Sequence, residues 1–157
     1  MEWAWQRRSR DLGFFTLPST YFCDTTQNLQ RKQTPTNSQA ERYEIQQTGP
    51  ENIQVQGGGE QVWADGIRPS DSKLLDAKYV KNPDNSPYVP DSNMDEDIRG
   101  IINTKTDNEF RRYGAVINDP NTPVTGLEVI TNEPRAVPYF QGLMNKYNIP
   151  GDVVVKP

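Results

Sequence analysis

Hydrophobic and polar positions are arranged differently in the two parts of the chain. Over residues 1–40 the aromatics Trp3, Trp5, Phe14, Phe15, Tyr21 and Phe22 keep neither a period of 2 nor one of 3.6. The Gln/Thr/Asn/Ser stretch from Thr25 to Gln39 that follows has the composition of a linker or surface loop. Residues 1–40 are expected to be an N-terminal segment or linker from a larger polypeptide, and 41–157 one domain.

Periodic order begins at Ser38. Ser38 and Glu41 have capping-box spacing, Ala40–Gln47 is rich in helix formers, and Gly49-Pro50 stops the helix. Alternation at Ile53-Gln54-Val55, the Gly57-Gly58-Gly59 turn and a strand from Gln61 to Ile67 come next. Arg68–Ser72 has turn composition, and Lys73–Val80 reads as a third strand, which completes a three-strand antiparallel meander. Pro83, Pro87 and Pro90 make 82–93 a loop. A helix is expected from near Met94, with Ile98, Ile101, Ile102, Phe110 and Tyr113 as its apolar positions. Asp95, Glu96 and Asp97 at its start suit the helix dipole. A turn over Asp119–Pro123, a strand over Leu127–Thr131, a helix over Pro134–Tyr147 and a strand over Val153–Val155 finish the chain. The order α-β-β-β-α-β-α-β predicts an α/β (α+β) domain.

Composition narrows the chemistry. The 157 residues suit one domain. Leu, Ile, Val and Phe make up about a fifth of the chain, which predicts a small core under a polar surface. With no histidine, Ser-His-Asp and Cys-His catalysis and the zinc deaminases and zincins are excluded in their usual forms. The single cysteine, Cys23, makes neither an internal disulfide nor a thiolate cluster and is assigned no role. No stretch approaches the ~18 apolar residues of a membrane span, and 12–17 is too short for a secretory h-region. Carboxylates, Lys, Arg, Tyr and Ser remain.

The segment Ala64-Asp65-Gly66-Ile67, turn, Leu74-Leu75-Asp76-Ala77-Lys78 is the informative one. If the hairpin centres on Ser70 and Asp71, positions whose numbers sum to 141 lie opposite each other, so Asp65 faces Asp76. Lys78 then shares a face with Asp76. Like charges in that position repel by roughly 3 kcal/mol at about 5 Å and an effective dielectric of ~20. Lys78 offsets part of this, and a divalent cation on both carboxylates would offset all of it. Mg²⁺ takes one or two carboxylates and keeps open positions for a phosphate oxygen and a water. Lys78 would orient or deprotonate that water, or stabilise developing negative charge. The plainer reading is a solvated Asp76–Lys78 ion pair.

These residues resemble the PD-(D/E)XK nuclease superfamily, with its restriction-endonuclease-like fold, and more narrowly the nuclease toxin domains of bacterial polymorphic toxins. The resemblance rests on Glu41-Arg42-Tyr43-Glu44, Ala64-Asp65-Gly66 and Leu74–Tyr79, and extends through Asn108–Tyr113 and Gly126–Val129. It covers roughly 40–157. Ala64 stands where the family name has Pro. The resemblance implies that Asp65 and Asp76 ligate the metal, that Lys78 is the catalytic lysine, and that the helix acid is Glu44, with Glu41 the alternative. It also implies a toxin delivered into the cytoplasm of a competing bacterium and neutralised at home by an immunity protein.

The second helix carries Arg99, Lys105, Arg111 and Arg112, read as phosphate contacts or as a solvated helix face. Tyr79 is expected in the core. A net charge of −4 and a pI of about 4.9 predict weak, salt-sensitive, sequence-tolerant binding to nucleic acid. The expectation is a Mg²⁺- or Mn²⁺-dependent endonuclease acting on DNA with little sequence specificity. An RNA-cleaving toxin of the same fold and an inactive nuclease-fold interaction module are the alternatives.

Overall fold

The computed structural model describes residues 29–157. The expected aromatic segment before Leu29, with Cys23, lies outside the described residues. Within the stretch read as a linker, Arg31–Gln33 forms a short exposed strand, β1, paired antiparallel with Glu51–Gly57, β2.

Helix α1 (Gln39–Thr48) starts at Ser38 through the complete capping box: the Glu41 amide donates to Ser38 Oγ and the Ser38 amide to Glu41 Oε2. β2 turns through Gly58 and Gly59 into β3 (Glu60–Ala64). Both glycines have positive φ, 58° and 77°, the requirement of a two-residue type I′ hairpin turn.

The antiparallel order β2, second strand, third strand is present, but the middle strand is divided at Asp65. β3 belongs with β1 and β2 in one sheet; Gly66–Arg68, β4, belongs to a second sheet ordered β4-β5-β6-β7. β5 is Lys73–Lys78, two residues shorter than the sequence pattern suggests. Gly66 pairs with Leu75, Ile67 with Leu74 and Arg68 with Lys73, which is the register that sets Asp65 against Asp76. Asp65 stays on β5 at the fork: its amide donates to the Leu75 carbonyl at 3.0 Å. Its Oδ2 accepts the Ala77 N–H at 2.7 Å, so a side chain satisfies a strand donor that the departing backbone no longer reaches.

Helix α2 (Glu96–Ile117) is capped by Asp95 Oδ1, and β6 (Gly126–Thr131) follows parallel to β5. β6 is buried throughout, as a central strand covered on both faces must be. After a 3₁₀ turn at Pro134–Ala136, α3 (Val137–Lys146) returns the chain to β7 (Gly151–Val155), parallel to β6. Phe110, Tyr113 and Val116 of α2 and Phe140 and Met144 of α3 form the core with Val55, Val62, Leu74, Leu127 and Val129. α1 lies against β5: Tyr43 packs on Tyr79 at 5.3 Å between ring centroids, and its hydroxyl donates to the Lys156 carbonyl. Tyr79 thus packs on α1 but is only half-buried, at the edge of the core in which it was expected.

α1 approaches the fork closely, and Gly66 permits it. A Cβ at Gly66 would stand 2.7 Å from the Thr48 carbonyl oxygen. Gly66→Ala is expected to lower stability by about 1–3 kcal/mol in urea unfolding. Gly100→Ala, in exposed helix with nothing within 4 Å of the new methyl, should raise it by up to about 1 kcal/mol. Equal effects of the two changes would contradict the close packing of α1 on β4.

Candidate active site at the strand fork

The site gathers where the two sheets part. Asp76 is 1% exposed and sits on the same strand face as Lys78, whose Nζ is 3.0 Å from Asp76 Oδ1. A second carboxylate reaches the lysine from the facing helix: Glu109 Oε2 of α2 accepts from Lys78 Nζ at 2.8 Å. The other Asp76 oxygen, Oδ2, is buried with no hydrogen-bond partner. Asp65 lies beside it, within hydrogen-bonding reach when one of the two carries a proton.

Glu44 joins from α1. Its Oε1 accepts from Asn52 Nδ2 at 2.5 Å and from Thr34 Oγ1 at 3.0 Å. The same Asn52 nitrogen donates to Asp65 Oδ1 at 3.3 Å, so one buried amide spans the helix acid and the strand acid. Glu41 is committed to the capping box on the exposed side of the helix. Of the two glutamates, the structure brings only Glu44 to Asp65.

Electrostatics follow from this crowding. Burial, then the charge of Asp76, pushes the Asp65 carboxyl well above the usual carboxylate range; Lys78 only partly counters it and Glu44 adds to it. Burial also raises Asp76, with Lys78 pulling back and Glu109 pushing up. For Lys78, burial disfavours the ammonium, but Asp76, Glu109 and Asp65 outweigh it and hold its pKa well above the ordinary lysine value. Three carboxylates, Asp76, Glu109 and Asp65, therefore act on one buried cation, and Glu44 is linked to the group through Asn52.

That donor set fits a hard divalent ion. Asp65 and Asp76 supply oxygen donors, one of which has no partner within the protein. Among the described residues no three carboxylates form a closed metal cage. A two-carboxylate site completed by water and substrate is the usual form for Mg²⁺.

The basic residues separate into groups. Lys105, Glu109 and Arg112 lie at helical spacings of four and three, so both cations flank the lysine's partner along one stripe of α2. Arg111 points elsewhere and pairs with Glu60 at 2.6 Å. Arg99 binds the preceding loop: it donates to the carbonyls of Val89 and Ser92 and to Ser92 Oγ. Asn52 and Glu109 are the members that sequence reasoning missed. An amide in a strand that alternates polar and apolar residues and an acid one helical turn from a basic pair are weak signals on their own.

A family model described as "Restriction endonuclease fold toxin 2" matches residues 39–150. The chain belongs to that family, and its mixed α/β architecture is a restriction-endonuclease-like fold. Membership supports a nuclease toxin with nucleic acid as its substrate. No curated protein and no solved structure matches the chain. No described helix is long and apolar enough to cross a membrane.

The raised carboxyls make the metal-free protein pH-sensitive. In the unfolded chain an aspartate releases its proton near 3.8, whereas the folded pair retains one to higher pH. The stability this confers is complete below the unfolded value and is lost as pH rises through the folded one. In EDTA the melting temperature is expected to fall steadily above about pH 5, and Asp65→Asn should both raise it and flatten the slope. An unchanged slope in Asp65→Asn would contradict the pairing of Asp65 with Asp76.

Proposed function

We propose that this member of the restriction endonuclease fold toxins is a divalent-metal-dependent endonuclease, hydrolysing DNA in preference to RNA and with little sequence specificity. The observation that carries the reading is the buried Asp65–Asp76 pair with Lys78 beside it and an unpartnered oxygen on Asp76. A structural ion pair needs one carboxylate per lysine. This site has an Asp65–Asp76 pair, a second acid, Glu109, on Lys78, and Glu44 joined to Asp65 through the Asn52 amide, an excess of carboxylate over lysine that favours binding a cation.

Asp65 and Asp76 would hold Mg²⁺ or Mn²⁺, with Glu44 supporting it through Asn52. When bound, the ion supplies Lewis-acid stabilisation of phosphate charge and a more acidic water. The rest falls to the chain. Lys78 is kept protonated, so in this arrangement it donates hydrogen bonds and carries positive charge. It orients the attacking water and stabilises the negative charge that grows on the phosphate in the transition state. Its confinement between two carboxylates keeps that charge fixed in place before substrate arrives, so little reorganisation is required. Lys105 and Arg112 contact the substrate backbone on either side. Arg111 joins them only where substrate draws it from Glu60.

The acidic balance of the chain supports sequence-tolerant, salt-sensitive binding through this local basic stripe. Membership in a toxin family supports a delivered effector acting in the cytoplasm of a target bacterium, with a cognate immunity protein as its partner in the producing cell.

The test compares supercoiled plasmid with total RNA, each with Mg²⁺ or EDTA. Mg²⁺-dependent loss of plasmid is expected, and Lys78→Ala should slow it at least about 100-fold. Loss of RNA alone would transfer the activity to RNA; loss of neither, by folded protein, would favour the interaction module. Arg112→Ala should weaken binding at every sequence and reduce the dependence of log K on log salt by about one. Arg111→Ala should change that slope less. Equal slopes for all three proteins would remove the α2 stripe from the substrate path.

A further inference from the structure

Glu109 lies in the Asn108–Tyr113 stretch but is given no role by the resemblance, yet it makes the shorter of the two contacts to Lys78, 2.8 Å against 3.0 Å for Asp76. It comes from a different element, α2, whose hold on the sheet is the core itself: Phe110 and Tyr113, the next residue and the one four positions on, are fully buried. Glu109 is therefore fixed by packing rather than by the flexibility of a loop. Its own side chain is 26% exposed and that of Lys78 is 14% exposed, so the contact lies at the mouth of the site and not behind it.

We propose that Glu109 is a positioning residue for Lys78, retaining the ammonium at the mouth of the site when Asp76 is engaged by metal. A lysine ammonium has three N–H donors. In this structure one goes to Asp76 and one to Glu109. A cation on the two aspartates competes with Lys78 for Asp76 and repels it. Without a second anchor the long side chain would swing out to water, at a cost only in the hydrogen bonds it left behind. Glu109 supplies that anchor from a separate element, α2, whose position is set by Phe110 and Tyr113 in the core.

This inference rests on the nuclease reading for its kinetic consequence but not for its structural one, and the experiment separates the two. The ammonium of a buried, doubly paired lysine exchanges its protons slowly enough to give a ¹⁵Nζ–¹H correlation in metal-free protein, which Lys78→Arg identifies by removing it. Glu109→Gln keeps the length and one acceptor, and Glu109→Ala keeps neither. The correlation is expected to persist on adding Mn²⁺-free Mg²⁺ to the wild type and to be lost under the same conditions in Glu109→Ala. With plasmid as substrate, kcat should fall about 10- to 100-fold in Glu109→Ala, less in Glu109→Gln, with KM little changed. Retention of the Lys78 correlation in Glu109→Ala with Mg²⁺ present would overturn the proposal, whether or not the wild type cleaves anything. So would kcat in Glu109→Gln no higher than in Glu109→Ala. If the wild type cleaves neither nucleic acid, the nuclease reading fails while the resonance still decides the role of Glu109.

Discussion

Two aspartates forced to face each other out of water are the constraint on which the rest of the site depends. Asp65 and Asp76 meet because the register of β4 against β5 leaves them no alternative, and that register is set by a short turn at 69–72 and by apolar pairs such as Ile67 with Leu74. Moving one strand by a single residue would turn every side chain to the other face. The repulsion is therefore built in by the same contacts that bury Leu74. The fold answers it with Lys78, with the Ala77 amide on Asp65 and with a proton held by the pair when no metal is present.

The division of the middle strand gives this pair its setting. A continuous strand would have satisfied the Ala77 amide with backbone and left Asp65 free to turn to solvent. Because the chain leaves β2 after Ala64 and joins β5 only from Asp65 onward, the Asp65 side chain takes over the hydrogen bond and is held there. At the same fork α1 brings Glu44 to Asp65 through Asn52, and α2 brings Glu109 to Lys78. Removing one partner of such a buried ionic cluster usually costs more than the cluster contributes, since it leaves a charge uncompensated. Such an arrangement is poor as a device for stability alone and suits a site that must receive a cation.

The sequence pattern revealed the local parts well. The capping box at Ser38 and Glu41, the glycine turn, the hairpin register and the order of helices and strands all follow from spacing within about ten residues. Which of Glu41 and Glu44 turns toward Asp65 was not legible, because both lie within a turn of each other; the link from Glu44 to Asp65 runs through Asn52, a contact from the next strand. The break at Asp65 was hidden too, since residues 61–67 read as one strand, and what divides them is a competition between β2 and β5 for partners. Glu109 stands 31 positions from the lysine it holds, and no periodicity along one helix reports on such a pairing. The chain is acidic overall, while Lys105 and Arg112 stand a turn to either side of Glu109 on α2.

The central claim is that the fork at Asp65 and Asp76 is a divalent-cation site. Titration of Mn²⁺ into the metal-free protein, followed by the loss of the free-ion electron paramagnetic resonance signal, addresses it without reference to any substrate. The account predicts saturable binding to the wild type and to Glu41→Gln, and its loss in Asp76→Asn. Equal binding by all three proteins, or none by the folded wild type, would contradict it.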